Sequence, residues 1–360
     1  MRERLSLFPM SRDMCAVARY ADMLEGYELT HLFVPKYLRM GEDDVSCLDG
    51  GTYVGLSLTD YSKEKLMECD VLYMDYDENM ASVDLYKKIL AHASEVGVEV
   101  ILSRMLMQML DSELINPYPD YGASFAASSG TDFLYEISIP VVMVLSHGVY
   151  TDQLAVELAL RQHFAKAGFN VGQIGSHDAC KLFGFTGMPD FMVMPADAYD
   201  KTVRFNRYVA DMVKNEKYEI MIIGAPGSIM KYSDSLLQGL GVLPSIVCNA
   251  VRSDVSIACT YYGKYKKLYF DEMCKYGKYR MDSPIHFFSV SNTAAGSDLS
   301  SQDATRLNYT SLKSSFVLST IKNIEVDDDY YLLNALDKDS ITDACIAVHN
   351  TLSGNASFMR

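Results

Sequence analysis

The stretch IPVVMVLSHGVYTDQLAVELALRQHFAK, residues 139–166, decides the fold. It opens with a run, Ile139 to Leu145, that is apolar without alternation. A central parallel strand buried on both faces reads this way. Ser146-His147-Gly148-Val149-Tyr150-Thr151 then forms a short loop, and Asp152 opens a helical run. The run Gln153–Lys166 places Leu154, Leu158 and Phe164 inward, and Gly168 stands just beyond its end. Strand, short loop and helix in that order are the half-unit of a helix-covered parallel sheet.

The alternation continues outward. Downstream, Asn170–Ile174 is expected as a strand, Thr202–Lys214 as a helix, and Glu219–Ile223, Val255–Thr260 and Ile285–Val290 as strands. Residues 291–315, rich in Ser, Thr and Asn, read as a loop, and 341–352 as a terminal helix. Upstream, Arg4–Phe8 is a strand closed by Pro9, and Ser11 is expected to cap a helix through Met14, Val17, Ala18, Ala21 and Leu24, which Gly26 ends. Strands follow at Tyr27–Val34, Thr52–Leu56, Val71–Met74 and Val98–Leu102, with helices at Val83–Val96 and from Met105. Residues 112–136 carry Asn116-Pro117-Tyr118-Pro119, Gly122 and a small-residue run to Gly130, the punctuation of a boundary.

At 360 residues the chain is long enough for two cores. Its apolar fraction of 49% excludes a disordered chain, and no apolar stretch approaches the roughly 20 residues of a bilayer span. The amino-terminal residues lack the pattern of a secretory signal, so a cytoplasmic protein is expected. Net charge is −15, and residues 1–137 alone hold 11 Lys and Arg against 24 Asp and Glu. That acidic half disfavours a nucleic-acid partner. The eight cysteines form no C-x-x-C pair, which removes zinc ribbons and thioredoxin-like redox motifs and leaves no expected metal site.

The loop at 146–152 is the first place to look for chemistry. In doubly wound folds ligands bind where strands end and helices begin, and unpaired N–H groups there attract anions. Gly148 permits close backbone approach, and Thr151 is placed to cap the helix or meet an anion. A phosphate-binding P-loop would carry Gly-Lys-Ser/Thr at this point. Here Gln153 stands in place of the lysine and Asp152 adds a negative charge. The strand Glu219–Ile223 ends in Gly224-Ala225-Pro226-Gly227 rather than in a magnesium-binding acid. Binding without hydrolysis, or a loop that merely turns, is the consequence. Pro226 and Gly227 are expected to line the same crevice as Gly148.

Other clusters are weaker. Gly175-Ser176-His177-Asp178-Ala179-Cys180 brings a His and a Cys close in sequence, a conceivable nucleophilic pair beside the ordinary reading of a strand-end loop with a packed cysteine. His147, next to Gly148, is a candidate base or anion ligand. Asp75, Asp77 and Glu78 close a strand and are expected as a solvated loop rather than a cation site. The tract at 261–280 interleaves Tyr with Lys264, Lys266, Lys267, Lys275, Lys278 and Arg280. It reads as a helix with a basic solvated face over packed tyrosines, or as a peptide-recognition surface.

The run GVYTDQLAVELALRQHFAKAGFNVGQIGSHDACKLFGFTGMPDFM from Gly148, with GAPGSIM at 224–230 and VLPSIVCNAVRSDVSIACTYY at 242–262, resembles the peptide maturation system proteins of clostridial ribosomal-peptide natural-product clusters. That family in turn resembles P-loop proteins of the D-glutamate N-acetyltransferase group. The resemblance implies an α/β fold of two domains: a Rossmann-like parallel sheet in residues 1–136, then a degenerate P-loop-like doubly wound sheet in 137–330, with a helical tail in 331–360. Its marked positions fall on Gly148, Asp152, Gln153, Gly175, Ser176, Cys180, Gly184, Pro226 and Gly227. The family often carries Lys where Gln153 stands, so the departure weakens nucleotide hydrolysis further. The expected function is an accessory factor that binds a precursor peptide or a radical-SAM-type maturation enzyme, with ATP or another phosphate-bearing ligand at Gly148, Thr151, Asp152, Gln153, Ser176, Pro226 and Gly227. The rivals are an ATP- or acyl-CoA-dependent transferase or ligase in the same crevice, with His147, His177 and Cys180 as catalytic candidates, and a scaffold with a vestigial site.

Overall fold

The computed structural model describes residues 2–110, 133–234, 236–296, 307–324 and 330–358. Most of the boundary expected at 112–136, and the middle of the 291–315 stretch, lie outside the described residues. The described chain falls into two compact units. The first gathers residues 2–49, 53–110 and 178–184, and the second gathers 50–52, 133–177 and 185–358.

The first unit is a five-stranded parallel sheet in the order β3-β2-β1-β4-β5. Its strands are β1 (Glu3–Phe8), β2 (Tyr27–Val34), β3 (Leu58–Asp60), β4 (Val71–Met74) and β5 (Glu99–Leu102). This is the order of the first five strands of a Rossmann sheet. Helices α1 (Cys15–Arg19), α2 (Ser46–Asp49), α3 (Lys63–Leu66), α4 (Val83–Val96) and α5 (Arg104–Met109) connect them. α4 shows why this chain folds locally as it does. The Ser82 side chain accepts the Leu85 N–H, Gly97 closes the helix at φ 76°, and Tyr86, Ile89, Leu90 and Ala93 make its buried stripe. Two expectations need correction. Ser11 does not cap α1, which begins at Cys15 after Met14, and the helical run stops at Arg19 before a 3-10 turn over Ala21–Met23. The segment 52–56 is irregular, and the strand comes later, as β3.

The second unit carries an eight-stranded sheet with the path β12-β11-β10-β6-β9-β7-β8, and β13 also pairs with β11. Its strands are β6 (Val141–Ser146), β7 (Val171–Gly175), β8 (Thr186–Gly187), β9 (Ile220–Ser228), β10 (Val255–Tyr262), β11 (Ile285–Gly296), β12 (Asn308–Ser311) and β13 (Tyr331–Leu333). Every pairing is parallel except β11 with β12. Helices α6 (Gln153–Lys166), α7 (Asp190–Val193), α8 (Ala198–Glu216), α9 (Val242–Ala250), α10 (Lys267–Arg280), α11 (Ser314–Ile321) and α12 (Lys338–Phe358) complete it. Met143, Leu145, Phe205, Met221, Ile223 and Phe288 belong to one buried core.

Three further expectations shift. Gly224-Ala225-Pro226-Gly227 is not a loop, because β9 runs on through it to Ser228 beside Ser146. The polar stretch from Ser291 begins as strand, where β11 continues to Gly296. Tyr331–Leu333, at the head of the expected tail, is a sheet strand, and α12 after it packs against α6. One backbone feature stands out in the second unit. Gln238, Gly239, Leu240 and Gly241 all have positive φ, at 43°, 76°, 56° and 72°.

The first unit contains one nearly buried ion pair of good geometry. The Arg19 guanidinium holds the Asp49 carboxylate through two bonds of 2.7 Å, with Asp49 nearly sealed from water. Removing one partner of such a pair strands the other in low dielectric. Asp49→Ala is therefore expected to cost about 3 kcal/mol in urea unfolding monitored by circular dichroism, whereas Asp70→Ala, which opens the exposed Arg4–Asp70 pair, is expected to leave the unfolding midpoint close to that of wild type.

Candidate functional site

The carboxyl end of β6 turns into α6 through a loop held by its own hydroxyls. Ser146 Oγ accepts the Gly148 N–H at 2.9 Å and donates to the Gly148 carbonyl at 2.6 Å. Thr151 Oγ1 donates to the same carbonyl at 3.0 Å and lies 3.1 Å from Ser146 Oγ. The Thr151 hydroxyl is thus spent within the loop, and no side chain caps α6. Asp152, at φ 62°, is the residue preceding the helix, and its Oδ2 accepts the Asn292 N–H of β11 at 3.2 Å. The first-turn amides of α6 have no intrahelical acceptors.

Gly148 has φ 147°, and a Cβ there would lie 2.4 Å from the Tyr261 hydroxyl and 3.3 Å from the Gln238 amide. No side chain fits. Tyrosines surround the loop. Tyr150 meets Tyr309 edge-on, and Tyr261 lies against Tyr309 and Tyr232. The Tyr269 hydroxyl is 3.1 Å from His147 Nδ1. Burial pushes the His147 imidazole down to about 4, so it is neutral at neutral pH. Its backbone is fixed as well: its N–H donates to the Cys259 carbonyl, and its carbonyl accepts from Ser228 Oγ at 2.9 Å.

Gln153 and Glu157 occupy successive turns of α6 and both face the sheet. Gln153 Nε2 donates to the carbonyls of Val144 at 2.9 Å and Ala225 at 3.0 Å. Glu157 is fully buried, and its Oε2 accepts the Ser176 N–H at 3.1 Å. A Cβ on Gly224 would lie 2.0 Å from Glu157 Oε1, an oxygen that has no hydrogen-bond partner. Gly224 is thus bare because the carboxyl lies on it. Gln173 is buried too, and both polar atoms of its amide are without partners. In the parallel register Gln173 pairs with Ile222, two residues before Gly224, so it shares the face that Gly224 presents to α6. Burial raises the Glu157 carboxyl to about 7, against the opposing effect of the Ser176 hydrogen bonds and the His177 charge.

Of the residues singled out in the sequence, Gly148, Thr151, Asp152 and Gln153 line one loop, and Ser176 reaches it through Glu157. Pro226 and Gly227 lie on β9 between Ala225, which Gln153 holds, and Ser228, which holds His147. His177 is half-buried and sits close enough to act on the Glu157 charge. Cys180 is fully buried in the 3-10 turn Asp178–Phe183, which packs in the first unit near Tyr73. A nucleophilic cysteine requires exposure and a lowered pKa, so burial of this kind works against the role. Gly184, in the same unit, has the Glu25 carboxylate where a Cβ would go.

Sequence reasoning missed Glu157. The signal was present: it is the one charged residue in Leu154-Ala155-Val156-Glu157-Leu158-Ala159-Leu160, a helix segment apolar on every side. The acidic cluster also differs from expectation. Asp75 and Asp77 are buried, and Asp77 Oδ1 accepts the Asn79 N–H. The 261–280 tract matches its packed reading only in part: its helix starts at Lys267 and buries Phe270 and Met273, Tyr265 and Tyr269 stack at 4.1 Å, Lys275 pairs with Glu272 at the surface, and Tyr279 is exposed. Among the described residues no three His, Cys, Asp or Glu side chains gather as a metal site, and no helix is long and apolar enough to cross a membrane.

No family model and no curated protein matches the sequence. Among solved structures the chain is similar to a DUF1611 family protein from Anabaena variabilis ATCC 29413, with 11% identity, a TM-score of 0.52, and coverage of 91% of this chain and 95% of that one. The likeness at that identity is one of fold. It is also similar to a pseudomurein peptide ligase type C from Methanothermus fervidus, with 9% identity, a TM-score of 0.25, and coverage of 71% of this chain and 38% of that one.

The Glu157 carboxyl sets a pH dependence. Its folded-state pKa, about 7, is raised above the unfolded value, so the folded chain binds the extra proton and stability falls as pH rises from about 4.5 to about 7. Glu157→Gln removes the cost of burying the ionised form. In chemical denaturation the variant is expected to exceed wild type by about 1–3 kcal/mol at about pH 8.5, with the difference shrinking towards zero near about pH 5. A variant less stable than wild type at alkaline pH would contradict this.

Proposed function

We propose that the protein is a binding factor that seats an anionic, phosphate-bearing ligand at the amino end of α6 without turning it over, and that it serves as a cytoplasmic accessory in the maturation of a ribosomally made peptide. The observation that carries the first part is the position of Gln153. Its amide is committed to the Val144 and Ala225 carbonyls, inside the sheet, where a phosphate-binding lysine would instead extend over the loop. With no cation at that position and no acid at the end of β9, binding has support and γ-phosphate transfer has none. The peptide context rests on the resemblance of the segment from Gly148, and the partner in that reading is a precursor peptide or a radical-SAM-type enzyme.

A second reading has one observation in its favour. Glu157, held near neutrality beside the loop, has the pKa of a general acid or base, which suits an ATP- or acyl-CoA-dependent transferase or ligase.

Thermal shift with ATP, ADP and acetyl-CoA separates these readings. A ligand at about 100 times its Kd stabilises by about 2.7 kcal/mol, and each kcal/mol moves Tm by roughly 2–4 °C at this size. We expect stabilisation of several degrees by ATP or ADP, no phosphate release by wild type, and a loss of stability in Gln153→Lys, whose ammonium cannot serve both carbonyls without burying charge. Hydrolysis by wild type at enzymatic rates would establish the second reading. No shift with any of the three at millimolar concentration would leave a scaffold.

A further inference from the structure

Glu157 is the buried group that the binding reading does not use. It lies one turn below Gln153 on α6, about 6 Å along the axis. Helical side chains lean towards the amino end, so its carboxyl leans towards the first turn. Oε2 is occupied by the Ser176 N–H, and Oε1 rests on Gly224 with no partner, fully buried. Gly224 immediately precedes Ala225, whose carbonyl Gln153 holds. The carboxyl therefore sits at the rim that the strand ends and the first turn of α6 share.

The surrounding charges are few. On α6 itself stand Asp152, whose carboxylate accepts from Asn292, and Arg161, whose Nη1 donates to the Val171 carbonyl and whose guanidinium lies over Phe185. The end of β7 brings His177. β6 and β9 contribute no titratable side chain. β10 contributes Cys259, whose thiol burial and the Asp152 and Glu157 charges push upward, so it is neutral. α12 meets α6 at His163, where His349 Nδ1 is 3.3 Å from His163 Nε2, more than a turn beyond Glu157. No fixed cation stands between the carboxyl and the first turn in this set.

We infer that Glu157 is a positioning residue that makes anion binding proton-linked: an oxyanion seats at the amino end of α6 when the Glu157 carboxyl is the neutral acid, and binding draws a proton onto it. The inference rests on the anion-binding reading above. Two negative charges about a helical turn apart, in protein of effective dielectric about 20, repel enough to change affinity on the order of a hundredfold. A pKa near 7 in the unliganded protein puts the transition in the ordinary pH range. The neutral acid keeps the Ser176 bond through its carbonyl oxygen and frees its O–H to donate.

Sulfate is the probe, because its charge does not change across the range. Titration calorimetry of the full chain at about pH 6 and about pH 8.5 is expected to show affinity falling about twentyfold as pH rises. Repeating the titration near pH 7.5 in two buffers of different ionisation heat is expected to show uptake of about 0.7 proton per sulfate. Glu157→Gln should bind with nearly equal affinity at both pH values and abolish that uptake, while His177→Gln should preserve it. Flat wild-type affinity with no proton uptake overturns the inference and leaves the anion seat standing, as does a Glu157→Gln protein with the wild-type pH slope. Should that variant fail to fold, the wild-type proton count together with His177→Gln decides. Absence of sulfate binding at either pH overturns the anion seat itself, and this inference with it.

Discussion

Two carbonyl oxygens at the ends of neighbouring parallel strands, Val144 on β6 and Ala225 on β9, constrain the second unit. The ladder between these strands shifts register just beyond Val144, so regular pairing is lost there. Buried carbonyls need donors. The Gln153 amide supplies both, and it does so as the first residue of α6. That one side chain fixes where the helix starts, which way its first turn faces, and how close it lies to the strand ends. Glu157 repeats the arrangement one turn on, tying the helix to β7 through the Ser176 N–H. α6 is thus fastened to three adjacent strands within its first two turns.

The price of that fastening is chemical. A residue bound to the sheet cannot also reach over the loop, and a carboxyl sealed beneath the first turn brings a charge that burial resists. The loop hydroxyls are similarly committed: Ser146, Thr151 and Ser228 serve backbone groups of the loop and its flank. What remains for a ligand is backbone N–H and tyrosine edges.

Much of this was legible in the residues. Periodicity placed Val83–Val96 and Gln153–Lys166 at the bounds they adopt: Ser82 caps the first and Gly97 closes it, while the second starts without a side-chain cap and ends just before Gly168. The extended β9 was hidden, since Gly-Ala-Pro-Gly normally ends a strand. Here the central position between β6 and β7, and the Gln153 bond to Ala225, carry the backbone past its own punctuation. The helix expected through Leu24 broke at Arg19, whose side chain turns to Asp49, a partner thirty residues away that no local pattern announces. Glu157 was visible as an oddity in an apolar segment, but its contacts with Ser176 and Gly224 come from strands far along the chain.

The run Gln238–Gly241, four residues in succession on the left-handed side of backbone space, is a turn wound in the opposite sense to the α-helices of the described residues. Glycine accepts that winding freely, and an L-residue pays about 1–2 kcal/mol for it. Gln238 and Leu240 are therefore placed where their own chirality is the wrong one. For a mirror-image residue the preference inverts, so a chain assembled by chemical ligation with D-leucine at position 240 would find its natural geometry there and hold this turn more firmly than the ribosomal product does.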